Sequence, residues 1–330
     1  MLRILFTLFS ILFIVGPATA TAKDKPILTV YTYSSFVSEW GPGSQIKENF
    51  EAKCDCIVNM VSIDDGVMIL NRLRLEGNRT KADVILGLDT NLISIAKQAK
   101  LVQSHDIVKP TNLAVDWWDG QFIPYDYSYF AFIYNQEKIS SPPTNFAELL
   151  DNPDWKIVYQ DPRTSTPGLG LLLWINKIYG ENAPLAWKKL AQHTVTVTKG
   201  WSESYGLFLK GEADFVLSYS TSPVVHINDG DHRYKAAIFS DGNYEQIEVA
   251  AITQYAKQPD LAKQFLMFLL TPQSQQILMN KNIMYPAISI DLPAAYQEIN
   301  PVTKALSFSA DDVARYQKIW IKQWQDAVSQ

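Results

Sequence analysis

The segment Gln160 to Gly170, QDPRTSTPGLG, carries the densest set of groups able to hold a small polar ligand. Thr164, Ser165 and Thr166 supply consecutive hydroxyls, Pro167 suits a first helical position, and Gly168 and Gly170 follow. A helix starting there presents unpaired N–H groups and partial positive charge, which suits an anion such as phosphate. The same pattern also serves an ordinary helix N-cap, so both readings stand at this point. In Lys199 to Gly206, KGWSESYG, Trp201 follows a glycine after a predicted strand. Its ring stands either at a crevice edge or inside a lobe. At an edge, a Trp face attracts a cation by about 0.5 to 2 kcal/mol. Leu217 to Pro223, LSYSTSP, ends a strand at Tyr219 and opens a helix with hydroxyls; Thr32 to Ser35 and Ile63 to Gly66 complete the set. Each of these segments lies at the carboxyl end of a predicted strand, where α/β sheets hold their ligands.

Catalytic patterns are missing. The chain has no G-x-S-x-G elbow, Walker loop or H-E-x-x-H, and its acids form no persuasive pair. His105, His193, His226 and His232 have no ligand spacing to one another or to Cys54 and Cys56, so neither a metal nor a cofactor is expected. That balance points to binding, not turnover.

Positioning those segments requires alternating strands and helices. Ile27 to Tyr33, Cys56 to Ser62 and Ala82 to Leu86 read as strands. Helices are expected over Gly43 to Lys53, Val67 to Leu75 (with Asp65 as N-cap and Gly77 as stop) and Asn91 to Ala99. After an aromatic-rich stretch containing Pro124, a strand is expected at Tyr129 to Tyr134, and the alternation continues to a last amphipathic helix over Ala310 to Ala327. The predicted fold class is α/β, in two lobes joined by crossing segments. Residues 23–128 plus 248–330 form lobe 1, and 129–247 form lobe 2.

The N-terminus supports export. Arg3 precedes an apolar run from Ile4 to Val15, Gly16-Pro17 breaks it, and small residues allow cleavage after Ala20 or Ala22. Residues 1–22 thus read as a signal peptide too short to span a bilayer, and no cysteine follows it to take a lipid anchor. The expected product is soluble, periplasmic and monomeric. A formal charge of −5 argues against nucleic acid as partner. Sixteen Tyr, fifteen Phe and nine Trp exceed what a core alone requires and permit a pocket walled by rings. Cys54 and Cys56 are the only cysteines, and an oxidising compartment would allow them to pair in a very small loop.

At these segments the chain resembles the periplasmic thiamine-binding proteins of bacterial thiamine importers. The resemblance runs from about Pro26 to the C-terminus. It is carried by LTVYTYSSF, EWGPG, DDGV, NRLRLEG, ADVILGLD, VYQDPRTSTPGLGLLLW, TVTVTKGWSESYGLFLKGE and LSYSTSP, and Cys54-Asp55-Cys56 resembles the family's close cysteine pair. It implies a type II periplasmic-binding-protein fold closing on thiamine or its mono- and diphosphates, and delivery to an inner-membrane ABC permease. The implied ligand-binding residues are Tyr33, Asp65, Gly66, Tyr127, Ser165, Trp201 and Tyr219. The thiazolium would face Trp201, Tyr33 would flank the pyrimidine, and groups near Ser165 would meet the alcohol or phosphate tail. Asp65 would serve either the aminopyrimidine or the tail. Two expected rings are replaced, by Val225 and by Ile283. Rival readings are a thiaminase-like enzyme on the same fold, which needs a free activated cysteine, and a ferric-iron carrier, for which Tyr219 lacks a neighbouring tyrosine.

Overall fold

The computed structural model describes residues 25–329, so the expected signal peptide and its cleavage sites lie outside the described residues. Alternating aliphatic and ring residues make Ile27–Tyr33 (β1) a buried strand, paired in parallel along its whole length with Ile57–Ile63 (β2). Val84–Asp89 (β3), buried throughout, joins the other side of β1. Between β2 and β3, Asp65 caps the helix Gly66–Glu76 by accepting from the Gly66 N–H, and Gly77 stops it at φ +54°. Both signals act as the sequence predicts.

The remaining main strands are Phe122–Asn135 (β4), Ile157–Gln160 (β5), Thr194–Thr198 (β6), Phe215–Tyr219 (β7), Tyr234–Ala237 (β8) and Asn243–Ile252 (β9). Strand β4 begins seven residues before the Tyr129 start that was predicted. Pro124 argues against a strand because it lacks an N–H to donate, but the ladder shifts register between Pro124 and Asp126 and absorbs it. Up to Tyr129, β4 pairs with β9, and from Phe130 onward it pairs with β7 and β8. One continuous strand therefore serves both half-sheets, in the order β2-β1-β3-β9-β4-β7-β5-β6.

Aromatic packing fills the second half. Trp174 lies edge-on to Phe146 at 4.6 Å, and its indole N–H donates to the Gly242 carbonyl at 2.8 Å. The last helix, Ala310–Val328, buries Trp324 against Trp187 and donates from its indole to the Tyr159 hydroxyl at 3.2 Å. Near its start, Asp311 accepts from Ser94 at 2.7 Å, so the helix touches both halves. Cys54 and Cys56 are bridged, with Asp55 between them in the left-handed region at φ +48°. Among the described residues no helix is long and apolar enough to cross a membrane.

Candidate functional site

The carboxyl ends of the strands converge on a cavity of about 630 Å³, within the range usual for small-molecule sites. Tyr33 at the end of β1, Asp65 after β2 and Tyr219 at the end of β7 all line it, as the strand-end argument predicts. Trp201 lines it too, as the first residue of the helix Trp201–Leu209. One face of its ring stacks on Tyr205 at 4.9 Å, and its N–H donates to Ser218 Oγ at 2.7 Å. Those two contacts hold the plane of the indole. Behind it, the Tyr205 hydroxyl pairs with His226 Nε2 at 2.8 Å, and burial lowers the His226 pKa, which favours the neutral imidazole.

Trp40 is an addition that the sequence reading missed. Its half-exposed ring lines the cavity 6.0 Å from Trp201, tilted by 56°. The turn that carries it is tight, since a Cβ on Gly41 would fall 2.2 Å from the Ser35 carbonyl oxygen. The glycines of EWGPG were the available signal.

Asp65 joins two helices from different parts of the sheet. Its Oδ1 accepts from the N–H groups of Gly66 at 2.7 Å and Thr166 at 3.1 Å, and its Oδ2 accepts from Ser165 Oγ at 2.7 Å. Burial raises its pKa, and these hydrogen bonds pull the other way. The predicted anion-holding N-terminus at Ser165 thus already faces a carboxylate. Gly66 and Ser165 stand behind the cavity wall, not in it. A Cβ on Gly66 would lie 2.2 Å from Thr166 Oγ1 and 2.3 Å from the Gly87 carbonyl oxygen, so only glycine allows the two helix ends to meet. Thr166 lines the cavity, and its buried hydroxyl has no partner among the described residues.

The floor holds a second acid that the sequence reading did not single out. Glu248 Oε2 accepts from Tyr33 at 2.9 Å and Tyr125 at 2.8 Å, and Oε1 accepts from Gln246 at 3.2 Å. Asp126 faces it across the β4–β9 ladder and accepts from Asn282 at 2.7 Å. Both carboxyls are pushed up by burial, Asp126 further because Glu248 is beside it. Tyr127 is not brought to the cavity; its ring lies 5.2 Å from Tyr285. Val225 and Ile283, where rings were expected, do line the cavity.

With this geometry the comparisons with known proteins agree. Residues 45–298 match the model of the bacterial extracellular solute-binding protein family. The thiamine-binding periplasmic protein of Salmonella typhimurium is 51% identical over 94% of this chain and 96% of its own length. A solved periplasmic thiamin binding protein is 50% identical, with a TM-score of 0.91 over 93% of this chain and 97% of that one. A ferric binding protein from Campylobacter jejuni, at 20% identity and a TM-score of 0.74 over 91% of this chain and 99% of its own, shares the fold alone. An α/β sheet divided by one shared strand, a cleft at the strand ends and half-identical relatives lead to one conclusion: this chain belongs to the bacterial extracellular solute-binding proteins of type II fold, in the family of the thiamine-binding periplasmic proteins.

Proposed function

We propose that this chain captures thiamine, and its mono- and diphosphates, in the periplasm and presents them to an inner-membrane ABC permease as a monomeric carrier. The observation that carries the reading is the chemistry of the cavity. Trp201 offers one free ring face with its plane held, and Tyr33, Tyr219 and Trp40 add further aromatic surface. Asp65, Asp229 and Glu248 also line it, against Lys281 alone among lysines and arginines. Rings plus excess carboxylate suit a flat organic cation. The thiazolium is placed against Trp201, the pyrimidine beside Tyr33 and Tyr219, and the polar arm toward Thr166, with Ser165, Asp65 and Gly66 shaping that end. A phosphate arriving there requires Asp65 to withdraw or take up a proton. Tyr127 is assigned a supporting role, through Tyr285, at the edge of the site.

The reading includes export by the signal peptide of residues 1–22. It divides the chain into lobe 1 (23–128 plus 248–330) and lobe 2 (129–247). The change of β4 partner between Tyr129 and Phe130 supports that division, while the last helix braces lobe 2 from the end of lobe 1. Capture without turnover is supported by the bridged cysteines, which leave no free thiol among the described residues.

Calorimetry with thiamine, its monophosphate, its diphosphate and ferric ion tests the proposal, alongside native mass spectrometry of the protein as purified. Stoichiometric binding of thiamine, unchanged after hours of incubation, is the expected result. No heat with any thiamine form, or a preference for ferric ion, would overturn it.

A further inference from the structure

Three carboxylates line the cavity, and they are held differently. Asp65 is engaged on both oxygens by helix ends and Ser165, and Asp229 stands at the C-terminal end of the short helix Pro223–Asn228. Glu248 lies at the floor, nearly fully buried, and is oriented by donors from separate elements: Tyr33 from β1, Tyr125 from β4, Gln246 from its own strand and Asn282 from the segment after the helix Pro272–Lys281. Its Oε2 takes the two tyrosines and Asn282 at 3.3 Å, whereas Oε1 takes only Gln246 and keeps a lone pair. Around it stand unsatisfied polar groups: Gln246 Oε1 and Asp126 Oδ1 are buried without a partner among the described residues, as is the cavity-lining Thr166 hydroxyl. A carboxylate so fixed at the floor of an aromatic cavity is a preorganised counter-charge, as charged groups in dry, shaped sites generally are.

We infer that Glu248 is the residue that reads the positive charge of the bound ring, and that Asp126 behind it is a positioning residue that keeps that charge in place. The inference rests on the cationic ligand proposed above. Asp126 and Glu248 are opposite partners in the β4–β9 ladder, both buried, and two adjacent buried carboxyls do not both ionise. The buried pair therefore carries one charge between its two members, and Glu248, the member that lines the cavity, presents it to the ligand. The titratable groups facing Glu248 are Tyr33, Tyr125 and Tyr219, all held protonated by burial, together with Asp126, Asp65 and Asp89; Lys281 and His226 line the same cavity, His226 paired with Tyr205, and among the described residues neither forms a salt bridge with Glu248. Acidification neutralises Glu248, and the cation loses its counter-charge. Affinity therefore falls as pH drops through the raised range of this pair.

The test compares thiamine with 3-deazathiamine, the neutral isostere that keeps the aminopyrimidine, by calorimetry on the full-length protein. Wild type is expected to favour thiamine, and Glu248→Gln to lose tenfold or more in thiamine affinity while changing little toward the isostere. Asp126→Asn is expected to move the pH at which thiamine affinity falls, with the isostere profile flat. The wild-type pH profile needs no variant: thiamine affinity falling on acidification, with the isostere unmoved, supports the inference even if Glu248→Gln fails to fold. Equal losses for both ligands, or flat profiles for both, would overturn it. Wild type binding neither compound would overturn the ligand assignment itself.

Discussion

Trp201→Ala removes the ring face on which the cation is proposed to rest. Only one face is available, because Tyr205 covers the other at 4.9 Å. A desolvated cation on a Trp face is worth about 2 kcal/mol. Losing roughly 40 Å² of apolar contact adds about 1 kcal/mol at ~25 cal/mol per Å². Trp40, with its centre 6.0 Å from the Trp201 ring, recovers part of this by leaning toward the ligand. The net loss is about 2 to 3 kcal/mol, or roughly 30- to 150-fold in Kd. The truncation also frees Ser218, but Ser218 and Ser222 remain hydrogen-bonded at 2.7 Å, so the loop has its own support. Trp201→Phe keeps a ring on Tyr205 with a weaker face and is expected to lose only about fivefold. The assay is calorimetric titration with thiamine, with thermal midpoints measured in parallel to establish folding. An alanine variant within threefold of wild type would refute the reasoning and assign Trp201 to packing.

Val225→Tyr restores a ring at a partly exposed cavity position and is expected to tighten thiamine binding by about two- to tenfold, the ~0.5 to 1.5 kcal/mol of an aromatic pair. Unchanged affinity by titration would show that position 225 does not face the ligand. Asp89, buried with Asn91 as its side-chain partner, has its pKa raised to about 7 by burial. A carboxyl raised in the folded state costs nothing below its unfolded value near 4, costs progressively more up to about 7, and then levels off. Asp89→Asn should therefore stabilise the protein more at pH 8 than at pH 5, by about 2 to 3 kcal/mol. Denaturant unfolding at the two pH values checks this, and an equal effect at both would contradict the burial account.

Local signals made much of this molecule legible in its sequence. Asp65 and Gly77 bound their helix because a capping carboxylate and a left-handed stop act within a few residues. Tyr33, Trp201 and Tyr219 reach the cavity because strand ends converge in a sheet of this kind. What failed was information held between distant strands. Glu248 is one acid in the apolar run Glu248 to Ile252, and its partners Tyr33, Tyr125 and Asn282 come from three other segments. The register shift at Pro124 to Asp126 resets the alternation of β4, so counting by twos cannot tell that Tyr125 reaches Glu248 while Tyr127 packs on Tyr285. Strand β4 looked short for the same reason.

One carboxylate terminates two helices here, and that arrangement has a mechanical side. Gly66 and Asp65 are chain neighbours and travel together, whereas Ser165 and Thr166 belong to the opposite half. Any hinge rotation that separates the halves breaks the second pair of bonds first and bares the amino end of the fourteen-residue helix Thr166–Tyr179. On the two-lobed reading proposed above, an opened arrangement would be the more electropositive at that lip, whereas in the arrangement described here the helix end is neutralised by the protein's own carboxylate.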